Sequence, residues 1–317
     1  MKVFLIALFF AGQAFGQSYP SRPIKLVVGF APGGAADFVA RLFSEPLSKA
    51  LGQPIVIENK PGAGSSIAAE SVAKSAPDGY TMLIASPASI LVNPVINPNL
   101  GYQPQRDLLP ISKVTSSPLV VAVNPNLGVS SLRELIDYAK KNPGKLNFAS
   151  SGNGAAPHLA AVLFQRVAGV EMVHVPYKGG GPAVQSLLAG DTQLSFATPP
   201  SVLPLVNAGR LRALAITSRE RTDLVPGVPG MVEAGLPDYE ISFWYGFFVP
   251  AGTPAVAVKK LFDATSDALK RTDIVRALAK EGTETSASRS PQDFAAFLAD
   301  DALLWARLVK ESGAKPD

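Results

Sequence analysis

The chain of 317 residues has no cysteine and only two histidines. The first absence rules out disulfides, thiol chemistry and a lipidated cysteine anchor. Together the two leave too few soft ligands for a transition-metal site, so no metal is expected. Charge is also sparse: acidic and basic residues make up 17% of the chain, scattered without blocks around a net charge of +4. That pattern gives no footing to nucleic-acid or membrane-surface binding. The N-terminal apolar stretch at 3–11 is about ten residues long, against the ~20 needed to span a bilayer, and no later stretch comes close. Dinucleotide fingerprints with three glycines, phosphate loops of the Gly-x-x-x-x-Gly-Lys type and Gly-x-Ser-x-Gly elbows are all missing. No cofactor is expected.

What is present begins with a leader. One lysine, a short apolar run and Ala14-Phe15-Gly16 as a small-x-small site describe a secretory signal peptide over 1–16. The mature chain, expected from about Gln17, loses Lys2 and keeps 28 basic against 25 acidic residues. An exported, periplasmic protein follows, and at this length two units of roughly 150 residues are the natural division.

The chain then repeats itself about 120 residues apart. An apolar run ending at Phe30 leads into Ala31-Pro32-Gly33-Gly34-Ala35-Ala36-Asp37 and the helical pattern Phe38-Val39-Ala40-Arg41. Its echo ends at Ala149, passes through Ser150-Ser151-Gly152-Asn153-Gly154-Ala155-Ala156-Pro157-His158 and enters Leu159-Ala160-Ala161. A second strand and glycine cluster follow in each copy, Lys60-Pro61-Gly62-Ala63-Gly64 and Lys178-Gly179-Gly180-Gly181. Strand, glycine loop, helix, twice over, predicts α/β architecture. Two such units facing each other would bring up to four helix starts to one cleft, where backbone N–H groups and helix dipoles favour an anion.

Short strands are expected at 25–30, 55–58, 82–85 and 118–123, and a longer aromatic one at 239–249. Ser131 with Glu134 reads as a capping box, Thr253-Pro254 and Ser290-Pro291 as further helix starts. Phe294, Phe297, Leu298, Trp305 and Leu308 share one face of the last helix and should pack it on the first lobe. The expected organisation is one lobe from 18–117 plus 243–317, a second lobe of 118–242 inserted in it, and two crossing strands as the hinge.

Ligands of open α/β sheets bind beyond the carboxyl ends of strands. That places Phe30, Ala31, Pro32, Gly33, Gly34 and Ala35 in the candidate site, with Ser150, Ser151, Gly152 and Gly154 opposite. A side chain at Gly34 or Gly154 is expected to crowd a bound carboxylate. Asp37 has two readings, helix cap or partner of a ligand amine, and an i,i+4 pair with Arg41 is expected. His158 either donates to a ligand or satisfies backbone, and His174 is structural. Lys60 and Lys178 are candidate counter-charges or plain solvated lysines. Phe30, Tyr177, Phe196, Trp244 and Tyr245 would wall the ligand or fill the core. A hydrolase using Ser150 or Ser151 with His158 has no elbow and no identified orienting acid.

With these residues laid out, the chain resembles the solute receptors of tripartite tricarboxylate transporters, the Bug receptors. The resemblance is carried in order by Pro23-Ile24-Lys25-Leu26-Val27-Val28, Phe30 to Gly34 with Asp37 and Arg41, Glu58 to Gly64, and Pro77-Asp78-Gly79-Tyr80-Thr81. It continues through Ser151-Gly152 with Gly154 and His158, Val175-Pro176-Tyr177-Lys178-Gly179, Gly209 to Ala215 and Pro250 to Pro254. It implies a two-lobed periplasmic binding protein of type II that closes on a small carboxylate, held by amides, hydroxyls and waters of the loops at 30–35 and 150–154. One departure stands out. Many relatives have an aspartate after the aromatic where this chain has Phe196-Ala197-Thr198, so amino-acid specificity is disfavoured, and Thr198 joins the candidate binding residues. The expected partners are a di-, tri- or aromatic carboxylate and membrane transport subunits, with a sensor kinase ectodomain as the alternative, bound by a monomer.

Overall fold

The computed structural model describes residues 19–97 and 99–312; the expected leader at 1–16 lies outside them. In chain order the strands are β1 (Ile24–Val28), β2 (Ile55–Asn59), β3 (Thr81–Ala85), β4 (Leu108–Pro118), β5 (Val120–Val123), β6 (Asn147–Ser150), β7 (Val173–Pro176), β8 (Leu194–Ala197), β9 (Arg212–Ile216), β10 (Ser242–Pro250) and β11 (Glu284–Thr285). The α-helices are α1 (Ala35–Leu51), α2 (Ser66–Ala73), α3 (Asn93–Ile96), α4 (Pro104–Asp107), α5 (Leu132–Lys141), α6 (Ala156–Ala168), α7 (Gly180–Ala189), α8 (Pro199–Asn207), α9 (Ala255–Lys270), α10 (Thr272–Lys280) and α11 (Pro291–Ser312).

The strands form two sheets, one ordered β11-β4-β10-β3-β1-β2 and the other β7-β6-β8-β5-β9. In each, three strands run parallel, β2-β1-β3 and β7-β6-β8, and an antiparallel strand, β10 or β5, closes the third. The repeat seen in the sequence is thus a repeat of topology, with β1, α1, β2 matched by β6, α6, β7. The inner strands β1 and β3 are buried on both faces because helices cover both sides, which explains their continuous apolar runs.

Helix ends follow local chemistry. Glycines in left-handed conformation stop α1, α6 and α7 at Gly52, Gly169 and Gly190. Ser131 Oγ accepts from Glu134 N–H at 3.2 Å, but the glutamate reaches back to Ser130 N–H at 2.8 Å, so the capping box closes one residue early. Ser290 caps α11 as expected, through Asp293 N–H at 3.0 Å. α9 begins at Ala255, because Thr253 turns its hydroxyl onto Pro250 O instead of capping.

The expected strand over 118–123 is two strands in different sheets, β4 and β5, parted at Leu119. This is the first crossing; the second runs from the end of β9 to the start of β10. The two are tied at one point. Thr217 Oγ1 accepts from Leu119 N–H and donates to Ile241 O, both at 2.7 Å, while Thr217 N–H donates to Leu119 O at 2.9 Å and Ile241 N–H to Thr217 O at 3.1 Å. α11 packs Phe294 against Trp244 and Phe248, and Trp244 and Trp305 both donate their indole N–H to Asp301. Its far end also meets α6 of the other lobe.

Candidate functional site

Between the lobes, the N-termini of α1, α6, α7 and α8 converge on one inner chamber lined by Phe30, Gly34, Ala35, Ala36, Ser86, Ser151, Ala155, Ala156, Pro157, Gly180, Thr198, Ser201, Phe243 and Tyr245, with Ala183, Val184, Ser195 and Ala197 completing the wall. At none of the four does the N-cap residue's own side chain bond back onto the helix start, and among the described residues α1 meets a side chain from outside at Ala35 N–H, which goes to Ser201 Oγ. Three of them were legible as glycine loops. The fourth is α8, whose opening Pro199-Pro200 offers no N–H, so it contributes its dipole and the hydroxyls of Thr198 and Ser201, which lie 3.0 Å apart. The start of α2, expected here, faces an adjoining space instead.

No charged side chain lines this chamber. The positive field comes from backbone dipoles alone, and the hydrogen-bonding capacity from hydroxyls. Ser86, just beyond β3, is 1% exposed and its Oγ has no hydrogen-bond partner. A buried hydroxyl without a partner costs about 1–3 kcal/mol, a cost that a bound acceptor would offset. Tyr245 forms part of the apolar wall; burial pushes its phenol well up, and the Ala36 backbone N–H bonds back onto its oxygen. The chamber is small. It has about 20 Å³ for the centres of water-sized molecules, enough for little more than one such group.

An outer chamber adjoins it at Phe30 and Ser151 and offers about 180 Å³ on the same measure. It is lined by Gly62, Ala63, Gly64 and Ser65 on one lobe and by Gly152, Asn153, Pro176, Tyr177 and Lys178 on the other. Ala63 and Ser65 both have positive φ, 45° and 77°, a conformation worth about 1–2 kcal/mol of strain per non-glycine residue, and Asn93 buttresses the turn by donating to Ala63 O at 3.0 Å.

The lobes meet in a seam made largely of main chain. Ala31 N–H donates to Lys178 O at 2.9 Å and Ala35 N–H to Ser201 Oγ at 3.2 Å. A Cβ placed on Gly34 would sit 3.3 Å from the backbone nitrogens of Gly180 and Gly181. Glycine is needed there for close approach.

The structure separates the expected site residues into groups. Phe30, Gly34, Ala35, Ser151 and Thr198 line the inner chamber; Gly152 and Tyr177 line the outer one. Ala31, Pro32 and Gly33 belong to the seam and the turn behind it. Asp37 is turned away. Its carboxylate accepts from Arg41 at 2.8 and 3.0 Å, from Gly33 N–H at 3.1 Å and from Asn59 at 3.1 Å. Burial raises its pKa, but these donors more than offset that and hold it below the usual range, so the cap reading fits and the amine-partner reading does not. Trp244 is also corrected: it lies on the face of β10 that packs against α11, whereas its neighbours Phe243 and Tyr245 face the chamber. Gly154 lines neither chamber. A side chain there would meet Asn93 Oδ1 at 2.4 Å with φ at +68°, so it would jam the two lobes and not crowd a ligand.

Ser150 and the histidines form a buried stack behind the loop. His158 and His174 lie ring on ring at 4.0 Å, Gly154 N–H donates to His158 Nδ1 at 3.1 Å, and Ser150 Oγ is 2.6 Å from His174 Nε2. Burial lowers His158 to about 4, and burial with the neighbouring ring lowers His174 to about 3. Both rings are neutral supports. Ser150 does pair with a histidine, yet it is fully buried, lines neither chamber, and among the described residues no carboxylate orients the ring. The residues missed from sequence are Ser86, Ser195, Ser201 and Phe243; a serine directly after an apolar strand was the available signal for Ser86.

A family model, tripartite tricarboxylate transporter family receptor, matches residues 39–314. The chain belongs to that receptor family. It is 38% identical over 314 residues to the BugT protein of Bordetella pertussis, covering 99% of this chain and 96% of that one. Among solved structures, a Rhodopseudomonas palustris protein with adipate superposes with a TM-score of 0.91 at 34% identity, covering 94% of this receptor and all of that chain. MatC from the same species, with bound malate, gives 0.87 at 34% identity over 92% of this receptor and all of that chain. The receptor thus has the two α/β lobes of a periplasmic binding protein. None of its described helices is long and apolar enough to cross a membrane.

Proposed function

We propose that this receptor captures a small organic carboxylate in the cleft, closes its lobes on it without chemical turnover, and hands it to membrane transport subunits from the periplasm, after removal of a leader cleaved near Gly16. The observation that carries the reading is the inner chamber: four converging helix starts, none capped by its own N-cap side chain, and the partnerless Ser86 hydroxyl, with no charged side chain in the lining. A carboxylate supplies acceptors to the hydroxyls and negative charge to the dipoles, whereas an ammonium would find no counter-ion. The adipate and malate found in the two Rhodopseudomonas palustris structures support an organic acid. The proposed contacts are Phe30, Gly34, Ala35, Ser86, Ser151, Thr198 and Ser201. The lobe limits are proposed as 18–117 with 243–317, and 118–242.

Thermal unfolding of the mature chain against mono-, di- and tricarboxylates, aromatic acids and amino acids tests this. A ligand at about 100 times its Kd adds about 2.7 kcal/mol, a rise of roughly 4 °C for a chain of this length. Selective shifts by acids lacking an amine are expected. If no acid moves the midpoint of protein unfolded and refolded to strip carried-over ligand, the reading fails.

A further inference from the structure

Behind β10 the lobes enclose a further space. Phe243 and Tyr245 turn one face of that strand to the inner chamber, while Ser242, on the opposite face, opens on a crevice of about 450 Å³ by the measure used for the chambers. One wall is the rear of α6, at Leu163, Arg166 and Val167, and the other is α11, at Leu304, Arg307 and Leu308. The crossing chain at 240–242 forms the floor. α6 therefore faces the first lobe twice: its first turn, at Ala156 and Pro157, lines the inner chamber, and its last turns line this rear crevice. We infer that α6 is a lever and the rear crevice the space its far end moves into when the cleft opens, so that filling the crevice holds the cleft shut and tightens binding.

This rests on the proposed closure of the lobes and needs no particular ligand. The fulcrum is Tyr239. Fully buried in the crossing segment, it donates its hydroxyl to Ala160 O at 2.7 Å, and two residues further on Ile241 is bonded to Thr217 at the tie between the strands. At about 1.5 Å per residue, Ala160 stands about 6 Å along the helix from Ala156 and about 10 Å from Val167. A rigid helix held between its ends moves them in opposite senses. Opening withdraws Ala156 from the first lobe and breaks the bond from Ala31 N–H to Lys178 O across the seam. The same rotation drives Val167 towards α11, which already packs against α6, and the crevice is the clearance for that stroke.

The test is solution scattering of the mature chain, stripped of carried-over ligand, beside Val167→Trp and Leu304→Trp, wedges at partly exposed positions on the two walls. Val256→Trp, at a largely exposed position of α9, is the control. Both ligand-free wedge variants are expected to shrink towards the radius of gyration of the closed structure, and the control is not. Calorimetric titration with adipate and with malate should show whichever of them binds held about 3- to 10-fold tighter by both wedges, since a closed form populated at about 0.1–10% leaves at least that much affinity to recover. Wedge variants as extended as the unmodified chain, or more so, overturn the lever, as does an unmodified chain already compact without ligand. If an acid contracts the unmodified chain while the wedges do nothing, closure stands and only the lever is removed. If neither acids nor wedges contract the chain, closure fails and the lever with it. Thermal unfolding checks that each variant is folded, and either wedge decides alone should the other fail to fold.

Discussion

Replacing Gly34 separates the stability of the lobes from the stability of their closed arrangement. Its backbone, φ −95° and ψ 175°, is extended and open to any residue, so Gly34→Ala removes freedom from the unfolded chain at no conformational cost. That should stabilise the fold by about 0.4–1 kcal/mol. The added Cβ faces the other lobe, where the Gly180 and Gly181 nitrogens would stand 3.3 Å away, and these are main-chain atoms at a helix start that cannot swing aside. Closure must give by a few tenths of an ångström. Overpacking of this kind costs about 1–3 kcal/mol, with Gly34→Val at the upper end, which translates into affinity about 5- to 150-fold weaker. Calorimetric titration should therefore show weaker binding while ligand-free thermal unfolding shows an equal or higher midpoint. Gly33→Ala is the contrast: nothing lies within 4 Å, but φ is +84°, so stability should fall and closure should not be obstructed. Unchanged affinity in Gly34→Val, or affinity and stability falling together in Gly34→Ala, would refute the argument that the glycine serves close approach between lobes.

Ser86→Ala should lower carboxylate affinity about tenfold or more, as expected for a lost hydrogen bond to a charged group, while the ligand-free midpoint holds or rises because a partnerless buried hydroxyl is gone; a fall in the midpoint with affinity intact would assign Ser86 to the core. The histidine stack predicts acid sensitivity. An unfolded ring titrates near 6.5 but His158 in the fold only near about 4, so the unfolded state binds more protons in that interval and stability drops as pH falls from 6.5 towards 4. The His158 contribution is about 3 kcal/mol, read as the difference in urea unfolding between the protein and His158→Gln at pH 7 and pH 4.5. Parallel pH profiles for the two would mean the ring is not held neutral.

The parallel halves of both lobes were legible because buried parallel strands read as apolar runs and glycine loops punctuate them. β4 was not. Pro110, Ser112, Lys113, Thr115 and Ser116 interrupt any apolar alternation along it, and its pairing with β10 is decided by tertiary contact. In the site, backbone features were easier to foresee than side chains. Trp244 was misplaced by the period of a strand: moving one residue along β10 changes the face, and Phe243 and Tyr245 hold the chamber side. Asp37 was ambiguous because a carboxylate in a first helical turn suits an amine or a backbone N–H equally, and only the positions of Arg41 and Asn59 decide. Ser86 belongs to no motif, and a hydroxyl's lack of a partner is visible only once its surroundings are.

The tie at Thr217 sets how the two chambers must behave over time. One hydroxyl, used both as acceptor and as donor, pins the two crossing strands to each other in a site with no exposure to solvent. A pinned pair of strands permits swivelling about the pin and resists sliding of one lobe along the other. The inner and outer chambers share Phe30 and Ser151 as walls, one from each lobe, so they gape or shut as one. A ligand that reached across both chambers would have no route by which one end leaves early while the other lingers in a half-open pocket. Escape becomes a single event whose rate is the rate of the swivel.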